Sequence, residues 1–291
     1  MQELIKKIEK TKLENALYII ATPIGNLKDI TFRAIEILKS CDRIFCEDTR
    51  VSGNLLNIYA IEHNKLSVYN DHSNKEQRDL IINLIAKENK SVALISDAGT
   101  PTISDPGYKL LTECQKNNIK IIPIPGCSAC ITAISASAIS TDKFLFYGFL
   151  STNKNLREKQ LINLMSREEA VILYESPNRL LGLLEVIKNI DKNRIVCVAK
   201  ELTKTFENIT TKNAEDIFLY YNKNQDKIKG EFVVIIEKTE KIDKLDLKNT
   251  DAMLECSLKY MSVKGSAEFF SDVFKLKKSE VYKKLLNFRR K

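Results

Sequence analysis

Short apolar runs alternate with longer amphipathic stretches along most of the chain, pairing 17–21 with 31–40, 43–46 with 75–88, 92–95 with 106–118 and 120–124 with 128–138. The apolar runs have strand length, and the stretches between them repeat their apolar positions with a helical period. That βαβ rhythm requires a parallel or mixed sheet covered by helices. It resumes with 144–148, 156–165, 170–174, 177–190, 194–200, 214–221 and 231–237. Two α/β layers in tandem account for the whole, with the boundary near Pro123 to Gly126. Beyond Glu237 the run KTEKIDKLDLKNTD loses apolar content and reads as a linker. Three short amphipathic stretches, 252–262, 266–274 and 279–288, then form a small helical module with hairpin-like spacing. The expected organisation is an N-terminal α/β domain over 1–123, a second over 124–240, and a linker with a helical module over 241–291.

At 291 residues and 44% hydrophobic content the chain can bury a large core. Its apolar runs all fall short of the roughly 20 residues that span a bilayer, and the charged stretch 1–15 lacks the apolar centre of a signal peptide. Seven scattered cysteines, an odd number mostly in apolar surroundings, suit reduced thiols, so a soluble cytoplasmic protein is expected. Two histidines and no paired cysteine knuckles offer little from which to build a metal site, and none is expected. The net charge is +8, and between Lys259 and Lys291 ten Lys or Arg face three acids, a local +7. An excess gathered at one end points to a polyanionic partner rather than to a uniformly solvated surface.

Only nine glycines and six prolines occur, and the prolines fall in five segments that each touch a predicted strand end or helix start: TPIGNL (22–27), GTP (99–101), DPG (105–107), PIPG (123–126) and ESPN (175–178). Ligands of open α/β sheets bind outside those strand ends. SDAGTPTISDPG (96–107) follows a buried strand and supplies Gly99 for close backbone approach, amides for an anionic group and Asp97 for a hydroxyl or amine. Asp105 is expected to cap a helix beginning at Pro106. TPIGNLKDIT could bring Gly25 to the same ligand, and PIPGCSAC sets Gly126 and Ser128 before a helix of small residues. Cys127 and Cys130 also spell the C-x-x-C of thiol oxidoreductases, although redox chemistry would leave the other loops unexplained. Cys46-Glu47-Asp48-Thr49-Arg50 ends the second strand either as an ion-pair corner or as an acid–base site. YNDHSN (69–74) holds His72 in a polar loop, and Lys200-Glu201-Leu202-Thr203-Lys204 and Glu175-Ser176-Pro177-Asn178-Arg179 close two further strands with mixed charge.

Together these segments resemble the ribosomal RNA small subunit methyltransferase I family of the tetrapyrrole methylase superfamily. The ordered motifs TPIGNLKDIT, EDTR, SDAGTPTISDPG, PG-x-SA, GFL, ESP-x-RL, ELTK-x-x-E and GEFVVIIE run from Leu17 to about Glu237. The chain departs from the family pattern at Asn70, Ser73, Cys127, Ser151 and Asn178. The basic C-terminal module also resembles the family's helical appendage.

The resemblance implies two α/β domains with a cleft between them, S-adenosylmethionine as methyl donor, a homodimer, and methylation of a cytidine ribose 2'-hydroxyl in the decoding region of small-subunit rRNA. The partner implied is that rRNA or the 30S subunit, with neither DNA nor a membrane. It further implies that Pro23, Gly25, Ser96, Asp97, Ala98, Gly99, Thr100, Ser128, Ala129, Tyr174 and Gly230 surround the donor. Glu47, Asp48, Arg50, Lys200, Glu201 and Lys204 would form the acceptor side, with carboxylates taking or relaying the proton and cations holding phosphates; no single base is assigned. Two rival readings stay open: a small-molecule methyltransferase acting on a tetrapyrrole, and a non-catalytic ribosome assembly factor with a vestigial pocket.

Overall fold

The structure is a computed structural model that describes residues 5, 7–70, 72–239, 250–274 and 276–289. It divides into two compact units, Met1–Lys238 and Thr239–Lys291. Most of the run read as a linker, residues 240–249, lies outside the described residues, as do Asp71, Lys275, Arg290 and Lys291.

The first unit holds two five-stranded sheets. The N-terminal sheet contains β1 (Leu17–Ile20), β2 (Arg43–Cys46), β3 (Leu66–Val68), β4 (Val92–Ile95) and β5 (Ile121–Ile124), in the order β3-β2-β4-β1-β5 and parallel throughout. Its helices are α1 (Phe32–Ser40), α2 (Thr49–Ile58), α3 (Lys75–Ala86) and α4 (Tyr108–Lys116). Alternate strand residues feed two cores. Tyr18, Ile20, Ile44, Ala93 and Ile95 pack with α1, while Leu17, Ile19, Phe45 and Leu94 pack with α3 and α4. Both faces are thus covered, which is why these strands read as continuous apolar runs.

The chain leaves β1 toward one edge of this sheet and leaves β4 toward the other, so a crevice opens at their C-terminal ends, the topological switch point of an open α/β sheet. A pair of backbone hydrogen bonds spans it there: Thr22 N–H to Gly99 C=O at 2.8 Å and Gly99 N–H to Thr22 C=O at 3.0 Å.

After α5 (Ala129–Ser135) comes the second sheet, with β6 (Phe144–Phe149), β7 (Ala170–Glu175), β8 (Ile195–Lys200), β9 (Asn208–Asn213) and β10 (Phe232–Ile236) in the order β6-β7-β10-β8-β9. Only β6 and β7 are parallel; the other pairs are antiparallel. One face packs on α6 (Lys154–Met165), α7 (Pro177–Ile190) and α8 (Ala214–Lys223). The other receives Ile172, Ala199, Val233 and Ile235 together with Cys130 and Ala133 of α5 and Ile24 of the loop after β1. α5 therefore seals the second sheet and brings the first sheet's loop to it.

The second unit consists of α9 (Asp251–Ser257), α10 (Val263–Phe274) and α11 (Lys278–Arg289), closed around Leu254, Val263, Phe270, Val281 and Leu285. Lys284 pairs with Asp251 inside it.

Candidate active site

A cavity of about 470 Å³ lies at the C-terminal ends of β1, β2 and β4 and is closed from the other side by the second sheet. The loop 96–107 forms its floor. After β4 the chain must reverse within a few residues, and Thr102 and Ser104 take positive φ of 73° and 64° there. Strained backbone of this kind persists only where the surroundings hold it. Here the supports are the Thr22 hydroxyl to Ser96 C=O at 3.1 Å and the Thr100 hydroxyl to Cys127 C=O at 2.9 Å.

Of the residues expected around the donor, Asp97, Ala98, Gly99, Thr100, Ser128, Ala129, Tyr174 and Gly230 converge on this cavity. Pro23, Gly25 and Ser96 do not line it. Ser96 is buried one layer behind, its hydroxyl turned to the Gly99 carbonyl at 3.3 Å, and Gly25 abuts the 202–204 turn. Asp105 is corrected. It does not cap a helix at Pro106, because α4 starts at Tyr108 with Gly107 in the N-cap position, and Asp105 lies in the cavity lining instead.

The acceptor set splits. Glu47 lines the cavity, whereas Asp48 caps α2, accepting Arg50 N–H at 2.8 Å and clasping the Arg50 guanidinium at 2.6 Å. That side-chain hydrogen bond holds the Asp48 carboxyl down at about 2. The Arg50 side chain remains 88% exposed, open to a partner from solvent. Lys200 donates to the Lys227 carbonyl at 2.6 Å, and Glu201 and Lys204 pair with each other at 2.9 Å. None of these last three lines the cavity. Burial pushes the Glu201 carboxyl up, but the Lys204 hydrogen bond, the Glu231 N–H and the nearby lysines outweigh it and leave it lowered.

The remaining walls are apolar or acidic apart from Ser104 and Ser176. Ile103, Phe149, Phe232 and Val233 were not singled out individually in the sequence, nor were Glu175 and Glu231 assigned to the donor. Their available signal is the SDAGTPTISDPG run for Ile103 and the GFL, ESP and GEFVVIIE motifs for the others. Tyr174 stacks edge-on against Phe149 and Phe146 with centroids 5.6 and 4.9 Å away, and burial pushes its hydroxyl up to about 12. Glu175 is buried, accepts Ser176 N–H at 2.8 Å and pairs with Arg179 at 3.0 Å, while Arg179 also donates to the Leu150 carbonyl at 2.9 Å. The ESP-x-R corner thereby ties the end of β7 to the end of β6.

Among the described residues the lining carries five carboxylates, Glu47, Asp97, Asp105, Glu175 and Glu231, and neither Lys nor Arg. Burial raises the Asp97 carboxyl, and its Oδ1 accepts Asp48 N–H at 3.2 Å. At the C-x-x-C pair burial pushes the Cys130 thiol up to about 11 and raises Cys127 too, the opposite of the lowered thiols that redox centres use.

A two-sheet α/β protein with a cavity at the switch point of its first sheet matches a known class of methyltransferases. Residues 16–217 match the family Tetrapyrrole (Corrin/Porphyrin) Methylases. The fold is shared by cobalt precorrin-4 methyltransferase, at TM-score 0.57 and 16% identity over 77% of this chain and 95% of that one. It is shared also by diphthine synthase, at TM-score 0.55 and 14% identity over 77% and 90%.

Similarity is much higher to proteins named Ribosomal RNA small subunit methyltransferase I. That of Rickettsia prowazekii (strain Madrid E) is 42% identical, covering 93% of this chain and 96% of the relative; that of Haemophilus influenzae (strain ATCC 51907 / DSM 11121 / KW20 / Rd) is 38% identical, covering 94% and 96%. The chain belongs to the ribosomal RNA small subunit methyltransferase I family within the tetrapyrrole methylases, and is an S-adenosylmethionine-dependent methyltransferase.

Proposed function

We propose that the cavity binds S-adenosylmethionine and that the chain methylates a cytidine ribose 2'-hydroxyl of small-subunit rRNA in the decoding region. The observation that carries the donor half is the charge of the lining: five carboxylates and no basic side chain in a largely apolar hollow suit a cationic sulfonium and an α-amino group. An RNA phosphate placed in the same space would meet these carboxylates, of which Glu175 and Glu231 are already paired with Arg179 and Lys204, and no cation of the lining itself. The backbone of 97–100, the start of α5 at Ser128 and Ala129, Tyr174 and Gly230 are the groups that would hold the donor. The donor supplies an electrophilic methyl group with a neutral thioether as leaving group.

The chain's own work is to hold the ribose oxygen in line and remove its proton. Glu47 is the carboxylate of the acceptor set that borders the cavity, and it takes that proton; Asp48, held near 2, is a poor base and instead fixes α2 and Arg50. Arg50, exposed beyond the cavity, meets a flanking phosphate. The basic C-terminal unit supplies further RNA contact, and the active form is a homodimer in the cytoplasm. Among the described residues no helix is long and apolar enough to cross a membrane.

The experiment is to map ribose methylation of small-subunit rRNA in cells lacking the gene, before and after complementation, beside in vitro transfer to 30S particles, naked rRNA and a precorrin-type tetrapyrrole. One ribose methyl lost and restored is the expected result. Transfer to the tetrapyrrole alone, or donor binding without transfer to any acceptor, would overturn it.

A further inference from the structure

The turn 201–204 contributes nothing to the cavity lining, yet loops from both sheets close on it. Toward the first sheet, the Thr203 hydroxyl accepts Asn26 N–H at 2.9 Å. A Cβ on Gly25 would stand 2.6 Å from Lys204 Cγ and 2.7 Å from Thr203 Oγ1, so the 22–27 loop approaches the turn as closely as a glycine allows. Toward the second sheet, Glu201 N–H donates to Glu231 C=O at 2.9 Å, and Glu231 N–H returns to the Glu201 carboxylate at 2.9 Å. A Cβ on Gly230 would fall on that same carboxylate.

Lys204 joins the two sides. Its Nζ lies 2.9 Å from Glu201 Oε1 and 3.0 Å from Glu231 Oε2, and Glu231 is a cavity residue. Leu202, between them, is buried beside Ile24 and Val233, which also line the cavity. Glu201 and Thr203 both hold positive φ, 49° and 64°, a backbone state that side-chain-bearing residues keep only under such constraint. A lysine already met by two carboxylates has its charge satisfied and is a poor phosphate ligand.

We propose that Glu201 and Lys204 are positioning residues of the donor cavity: the 201–204 turn seats the loop 24–26 against the start of β10, and Lys204 holds Glu231 at the cavity wall. This rests on the reading of the cavity as the S-adenosylmethionine site, and it replaces an RNA-gripping role for the ELTK motif.

The test uses full-length protein and the variants Lys204→Met, Lys204→Arg and Thr203→Ala. Four quantities are read: donor Kd by calorimetry, the KM of each substrate, the salt dependence of small-subunit RNA binding, and amide exchange of 22–26 and 229–233 in ligand-free protein. Lys204→Met should raise donor Kd and KM about tenfold and speed exchange in both segments. RNA affinity and its salt slope should stay at wild-type values, and Lys204→Arg should recover most of the donor affinity. Thr203→Ala, the milder variant should Lys204→Met fold poorly, should speed exchange at 22–26. A loss of RNA affinity with the salt slope reduced by about one and exchange unchanged would assign Lys204 to a phosphate and overturn the proposal. Wild-type values throughout would overturn it equally. If the wild-type protein fails to bind the donor, the functional reading falls, while exchange at the two loops still decides whether the turn seats them.

Discussion

Asp97 is a cavity residue whose charge costs stability, and the proposed donor site gives that cost a purpose. Burial raises its carboxyl, so the sign is that of an acid destabilised in its charged form. Its favourable contribution is complete below the unfolded pKa and disappears as pH rises through the folded one, leaving a charge that costs stability at neutral pH. Asp97→Asn keeps an oxygen for the Asp48 N–H and removes that charge. The expected outcome is a higher apo melting temperature at pH 7, a gain that shrinks on acidification, together with donor affinity weakened about tenfold by calorimetry. Unchanged donor affinity would remove Asp97 from the donor site. Glu47→Gln is the complementary change at the acceptor: with one of five lining charges removed donor Kd should rise less than for Asp97→Asn, while kcat falls about 10²-fold or more. Undiminished kcat would deny Glu47 the proton.

At the scale of elements, the sequence was most legible where burial and helical period agree. Helix α1 is an example: it starts at the Thr31 cap, whose side chain accepts Ala34 N–H, and buries Ala34, Ile35, Ile37 and Leu38. The elements not foreseen were α2, β3 and β9. In the sequence only the first residues of α2 stand out, as the charged corner that ends at Arg50, and the helix's buried Ser52 and Gly53 give little apolar signal. β3 is a half-exposed three-residue edge strand, and β9, NITTKN, is a polar edge paired on one side only, so neither carries an apolar period.

The loop 96–107 is an element in its own right, and its shape depends on Gly107 at φ 138°, where a Cβ would meet Thr102 Cγ2 at 2.7 Å. Gly107→Ala should lower stability by about 1–3 kcal/mol in urea titration and weaken donor binding as well. A neutral result would mean that the loop is not held as described. The ESP-x-R corner makes a similar claim: Glu175→Ala strands Arg179 and should cost about 3 kcal/mol, read as a shifted urea midpoint with unchanged m.

Across the whole molecule, the described residues that line the cavity all belong to the first unit, whereas the last 33 residues hold most of the net positive charge. A chain ending at Lys238 should therefore bind the donor like the full protein but bind small-subunit RNA more weakly, with a shallower salt dependence. Equal salt slopes for the two chains would deny the C-terminal unit its RNA role.

What the sequence by itself determined was the α/β class, the strand-end turns that meet at one cavity, and the family, because strand burial, helical period and turn chemistry are local properties written in adjacent residues. What only tertiary structure decided was the division of labour among the charged motifs. Glu47 and Asp97 border the cavity, Asp48 is consumed as a cap, Asp105 is moved from a cap to the lining, and Glu201 and Lys204 are withdrawn behind Gly230 and Glu231. Local sequence reports that a charge stands at a strand end; its partners come from loops as distant in the chain as Gly25 and Glu231, and only packing brings those together.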